Sequence, residues 1–230
     1  MKEGLLELIC NSGYWRVNLR PLNLPDEPLL LGRCQEVVEK ARVSIRGWDF
    51  PHINYRNDDA GGYERGAEFI ENWTEWSGFN EFWRMYKSTQ FLAYVALRED
   101  TKPNDHDNPQ IPILNIVGTV YQITEILEFC HRLYKAGLYQ GGVSLGLSLY
   151  GAEGRMLSAG QNGIPFHDLK QTHAEQIEIN KSLGPERLAE EHMKIAIDIC
   201  VELFDHFGWN PDSTQLQSYQ EGFYRQDYRY

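Results

Sequence analysis

Val143-Ser144-Leu145-Gly146-Leu147-Ser148-Leu149-Tyr150 alternates without a break. Aliphatic side chains fall on one face and Ser, Gly and Tyr on the other, the pattern of a strand with one buried face. The residues after Tyr150 decide the fold class. Gly151-Ala152-Glu153-Gly154 is turn chemistry, Arg155 to Ser158 is expected to return as the pairing strand, and Glu175 to Lys181 reads as a further strand with Ile177 and Ile179 inward. No helical pattern lies between these segments, which excludes a uniformly doubly wound fold. The sequence therefore predicts an α+β fold: a mostly antiparallel or mixed sheet of about seven strands packed with four helices.

Upstream, Tyr14 to Arg20 alternates in the same way, with Trp15, Val17 and Leu19 on one face. Val43 to Phe50 and Ala67 to Trp76 read as strands, and Phe91 to Leu97, apolar on both faces, as a central strand. Helical spacing predicts four helices. The first is introduced by Asp26 and Pro28 and carries Leu30, Cys34, Val37, Val38 and Ala41. The second runs over Phe79, Phe82, Trp83 and Tyr86 with Ser77 as N-cap. The third spans Ile116 to Tyr134, ends at Gly137 and holds a Glu128–Arg132 i,i+4 pair. The last opens at Pro185 and stops at Gly208. Thr101 to Gln110 reads as a long surface loop. Residues 1–212 are expected to form one domain and 213–230 an aromatic, arginine-bearing C-terminal arm.

The chain has 230 residues, 42% hydrophobic and 13% aromatic, enough to build a core unaided. Its net charge of −11 disfavours nonspecific nucleic-acid binding, which relies on neutralising phosphates. Cys10, Cys34, Cys130 and Cys200 are far apart, three of them in apolar helical patterns, so free thiols are expected. Met1 to Cys10 is too short and acidic for a signal sequence and no apolar run is long enough to span a bilayer, which predicts a cytoplasmic, non-membrane protein.

The densest group of functional side chains is Arg46-Gly47-Trp48-Asp49-Phe50-Pro51-His52. Asp49 next to His52 could support general-base chemistry, and Arg46 could bind a phosphate or carboxylate. The bland reading makes Trp48 and Phe50 core anchors, Gly47 a bulge and Pro51 a turn former. Glu71 and Glu75 flank Trp73 on one strand face, an arrangement with a faint glycosidase flavour but more simply a solvated strand face. The seven histidines show no ligand spacing, Asp105-His106-Asp107 reads as a solvated loop, and no metal or cofactor is predicted. Gly141-Gly142 lacks a following Gly-Lys-Ser/Thr, and no Gly-x-Ser-x-Gly elbow is present, which removes P-loop and serine-hydrolase readings. In the tail, Phe223, Tyr224, Arg225, Tyr228 and Arg229 interleave rings with guanidinium groups. That suits partner contact, or an arm packed across its own domain.

The Arg46–His52 string, with the arrangement around it from Trp15 to Trp209 in general pattern, resembles uncharacterised bacterial proteins, some joined to a Schlafen-type ATP- or DNA-binding module. The resemblance carries over no catalytic residue, and no such module is read in these residues. The leading expectation is a noncatalytic ligand- or partner-binding module of a bacterial cytoplasmic regulatory or antiviral defence complex. The alternative is a small-molecule or nucleotide-processing enzyme built on Arg46, Asp49 and His52 with help from Glu71 or Arg84. That alternative requires a deep pocket beside Trp48 and a perturbed His52. A third expectation is a structural subunit of an oligomer, with the exposed side of the Phe79–Tyr86 segment as its interface.

Overall fold

The computed structural model describes residues 1–101, 112–159 and 166–226. Its alternating segments are β1 (Tyr14–Pro21), β2 (Gly61–Arg65), β3 (Phe69–Trp76), β4 (Phe79–Tyr86), β5 (Phe91–Ala96), β6 (Ile113–Asn115), β7 (Val143–Tyr150), β8 (Met156–Ser158) and β9 (Gln176–Leu183). Seven of them form one antiparallel sheet in the order β2-β3-β4-β5-β1-β7-β9, while β6 and β8 pair in parallel as a separate short ribbon. The helices are α1 (Leu5–Cys10), α2 (Leu31–Ala41), α3 (Arg98–Thr101), α4 (Ile116–Lys135), α5 (Pro185–Glu190), α6 (His192–Asp205) and α7 (Ser213–Tyr224). The fold is α+β, as the strand pattern requires.

Register explains why the sheet has one dry face. Val17 lies opposite both Ala93 and Leu147, and Leu147 opposite Ile179, so one side of β5, β1, β7 and β9 is continuous hydrocarbon. α2, α4 and α6 close over that side, and Phe129 of α4 meets Phe50 and Phe91 with ring centroids 5.6 and 4.7 Å away. Burying each such side chain contributes roughly 1.5–3 kcal/mol. On the opposite side a small cluster forms, where Leu5 and Ile9 of α1 pack on Tyr14, Phe82 and Ala96. β5 is the middle strand of the sheet, with apolar cover on both faces.

Several local expectations are corrected. Phe79–Tyr86 is strand β4, because Ser77 and Gly78 both take positive φ (49° and 81°) and make a two-residue hairpin turn from β3 in place of a helix cap. The interface expected on a Phe79–Tyr86 helix therefore does not exist. Val43–Phe50 is a loop closed at its neck by one bridge between Val43 and Phe50. β8 pairs with β6, and β9 takes the place beside β7 that Arg155–Ser158 was expected to fill. Arg155 itself turns inward, 2% exposed, and clamps Asp100 with both terminal nitrogens. The helix opened by Pro185 breaks at Glu191 into α5 and α6, and Leu30 is exposed as the residue before α2.

The C-terminal arm is helix α7 as far as it is described. Asp212 caps it by accepting from the Thr214 N–H, and Leu216 and Phe223 enter the main core against α4 and α6. Cys34, Cys130 and Cys200 are buried free thiols, and Cys10 is exposed. Among the described residues no helix is long and apolar enough to cross a membrane.

Candidate functional site

The loop Ser44–Asp49 is held at its neck by paired backbone hydrogen bonds between Val43 and Phe50, at 2.8 and 2.9 Å. Gly47 takes φ 86°, a left-handed conformation that favours glycine, and the Phe50–Pro51 bond is cis. Asp49 faces back into the loop, accepting from Ser44 Oγ at 2.5 Å and pairing with Arg42 at 3.2 Å. It therefore does not set the tautomer of His52, whose Nδ1 is buried with no hydrogen-bond partner among the described residues. Burial pushes the His52 imidazole below its ordinary pKa, opposed by the Asp49 charge, so the ring is neutral at neutral pH.

Fixed this way, the loop sends Arg46 and Trp48 into a gap between the dry face of the sheet and the first half of α4. The gap is a cavity of about 440 Å³. Helical spacing places Asn115, Gly118, Thr119, Gln122 and Glu125 on its α4 wall, while Trp15, Val95 and Leu97 supply the apolar side and Glu81 the buried acid of the sheet wall. Asn115 caps α4 by accepting from the Gly118 N–H at 2.7 Å. Thr119, 3% exposed, has a buried hydroxyl on this wall with no partner among the described residues.

Two carboxylates dominate the electrostatics. Glu81 stands where the β4 alternation demands a core residue, opposite Val95, and accepts one hydrogen bond, from Trp48 Nε1 at 2.9 Å. Desolvation raises its pKa to about 7, against the pull of the Trp48 N–H. Glu125 is 1% exposed and gripped by Arg46 through both oxygens, Nε to Oε1 at 2.9 Å and Nη2 to Oε2 at 2.7 Å. Gln122 accepts a further Arg46 N–H at 3.1 Å. Burial pushes Glu125 up as well, and the guanidinium opposes it. Both are raised to about 7, and Glu125 alone of the two has a counter-charge on both oxygens, so Glu81 takes up a proton the more readily.

The indole of Trp48 is itself fixed by parallel rings, His52 at 4.0 Å and Phe79 at 3.6 Å between centroids, and Arg98 sits 3.8 Å over Phe79. His52 stays behind the indole, and its backbone carbonyl accepts from Trp83 Nε1 at 2.6 Å.

Glu71 and Arg84 are not part of this site. Both alternate onto the opposite face of the sheet, where buried Glu71 pairs with Arg84 and with the Met1 ammonium while Glu75 pairs with Lys2. The tail residues also lie elsewhere. Phe223 is fully buried, which removes it as a partner contact, Tyr224 is partly exposed and Arg225 is an exposed partner of Glu221. Tyr228 and Arg229 lie outside the described residues, as do Asp105, His106 and Asp107. Among the described residues no group of three or more His, Cys, Asp or Glu side chains could hold a metal ion.

Glu81, Glu125, Gln122 and Thr119 were not singled out from the sequence. The available signal was the polar series Asn115, Thr119, Gln122 and Glu125 running along one side of an otherwise apolar helix. No protein-family model, curated protein or solved structure matches the chain.

Proposed function

We propose that this chain is a small-molecule-binding protein whose ligand occupies the cavity between β4, β5 and α4, and that Glu81 exchanges a proton with that ligand. The observation that carries the reading is the convergence of Glu81, the Arg46–Glu125 pair and the unpartnered Thr119 hydroxyl on one cavity of about 440 Å³. That volume falls in the roughly 300–1,000 Å³ range of small-ligand sites. With Glu81 protonated, Arg46 is matched by Glu125, so the fitting ligand is a compact, uncharged polar molecule with one apolar side for Trp15, Val95 and Leu97.

A carboxyl whose pKa lies at about 7 is poised to act as general acid and base at physiological pH, which favours the enzyme alternative over a purely passive binder. The noncatalytic reading keeps the same site and differs only in the role of Glu81. Native mass spectrometry of gently purified protein tests both. A retained mass on the wild type that is lost in Thr119→Val and Arg46→Met supports the cavity. Conversion of the identified ligand by the wild type but not by Glu81→Gln, with the ligand still bound, makes it catalytic. A bound ligand that survives both cavity substitutions overturns the assignment.

A further inference from the structure

A second constellation lies on the opposite side of the sheet, beyond the Tyr14 end of β1 on which α1 packs. Alternation places Arg16, Asn18 and Arg20 of β1 on that face, and register sets Ser148, Gly146 and Ser144 of β7 beside them. β9 continues all three rows, with Glu178 next to Ser148, Asn180 next to Gly146 and Ser182 next to Ser144. Neighbouring strands run about 4.8 Å apart, so the group is a compact polar patch. At its centre Gly146 has no side chain, and the surrounding residues enclose a depression of about 180 Å³.

Arg16 is the telling residue. It is half-buried, it makes no hydrogen bond or ion pair with the described residues, and its Nε is buried without a partner. The guanidinium groups that reach the core elsewhere have carboxylates: Arg46 has Glu125 and Arg155 has Asp100. A buried N–H without an acceptor is costly, and among the described residues none of its neighbours bonds to it. Arg20 adds a second cation, 3.1 Å from the Asn18 amide, and Ser144, Ser148 and Asn180 add neutral donors. Donors outnumber acceptors in a protein whose net charge is −11.

We infer that this depression binds a small protonated oxyanion, phosphate or a phosphate monoester, with Arg16 and Arg20 as its counter-charges. Glu178, the one carboxylate on the rim, has Gln176 as its hydrogen-bond partner and not Arg16. It gives the site an acceptor for a P–OH group. Phosphate keeps such a proton near neutral pH and sulfate does not, so the carboxylate selects phosphate and repels sulfate. The site stands on the opposite sheet face from the Glu81 cavity and does not depend on it.

The test is calorimetric titration of the whole chain at low ionic strength with inorganic phosphate, glycerol phosphate and sulfate. Phosphate or the ester is expected to bind saturably, at least about tenfold more weakly to Arg16→Gln, since a charge-assisted hydrogen bond is removed. Gly146→Ser is expected to have the same effect by filling the depression, where an added Cβ already meets Asn180 Oδ1 at 3.2 Å. Sulfate is expected to bind less well than phosphate, with the gap narrowing in Glu178→Gln. Tighter binding of the ester marks a phosphorylated metabolite as the ligand, and tighter binding of inorganic phosphate marks the free ion. Absence of saturable binding by either, or equal affinity in wild type, Arg16→Gln and Gly146→Ser, overturns the proposal.

Discussion

Trp48 and Glu81 are 33 residues apart and are joined by a 2.9 Å hydrogen bond from the indole Nε1 to an oxygen of the buried carboxylate. That bond ties the loop to the sheet, and among the described residues Glu81 has no ion-pair partner while Glu125 has Arg46. It makes the ionisation of Glu81 measurable in the stability of the whole fold.

The folded pKa of about 7 lies above the ordinary 4.5, so the unfolded chain gives up this proton first as pH rises. The contribution of the neutral acid is complete below about 4.5, declines as pH climbs to about 7 and is gone above it. Glu81→Gln keeps a neutral acceptor for Trp48 at every pH. Urea denaturation is expected to show the variant gaining on the wild type between about pH 4.5 and 8, by on the order of 3 kcal/mol. A difference that stays constant across that range would mean that Glu81 is ionised throughout.

Arg46 and Glu125 form the complementary case, a buried pair in which each charge is tolerated only because of the other. Arg46→Met strands Glu125 and is expected to cost about 3–5 kcal/mol, whereas Arg46→Met with Glu125→Met together should cost much less, because no uncompensated charge remains. A double-mutant cycle by chemical denaturation measures the coupling. Near-additive losses would show that the two side chains do not depend on each other.

Glu71 and Arg84 give a test of the face assignment. Arg84 also lies over the Phe69 ring at 4.6 Å, and its removal leaves Glu71 short of a partner on the α1 side of the sheet. Arg84→Met is expected to lower stability by about 1–3 kcal/mol while leaving the ligand affinity of the cavity within about twofold of wild type. A larger loss of affinity at unchanged stability would bring these residues back into the site.

The difference between these two faces shows what the sequence could tell. Alternation in Tyr14–Arg20 and Val143–Tyr150 sets every side chain's face, and the sheet follows. In Phe79–Tyr86, Phe79, Phe82, Trp83 and Tyr86 fit the 3.6-residue period, whereas Glu81 interrupts the two-residue one. The deciding feature was Ser77-Gly78, whose paired positive φ values suit a hairpin and oppose a cap. Arg46, Trp48 and Asp49 were visible as an unusual cluster, but their partners come from β4 and α4, which are distant in sequence. Glu81 lies inside the segment read as a helix, and Glu125 inside the long helix read over Ile116 to Tyr134. Only the pairing of β4 with β5 turns Glu81 inward. The face carrying Arg16 was legible as polar, yet its depression depends on the order β1-β7-β9, which periodicity does not encode.

The C-terminal arm supplies the last prediction. Helix α7 lies on α4, where Phe223 is fully buried with its ring centroid 5.2 Å from that of Tyr121. Gln220 Nε2 donates to Thr124 Oγ1 at 3.1 Å and to the Met193 carbonyl at 3.0 Å, so the helix is pinned by polar as well as apolar contacts. Thr124 neighbours Glu125, and loss of α7 would open the back of the α4 wall that carries the site. Phe223→Ala is expected to cost about 3–5 kcal/mol by leaving a cavity against Tyr121. Arg225→Ala removes only an exposed i,i+4 pair with Glu221 and should change stability by about 0.5 kcal/mol or less. Thermal and urea unfolding of the two variants separates a structural helix from a free docking arm. A free arm would leave both substitutions neutral for folding, whereas a packed helix makes Phe223 costly and Arg225 silent.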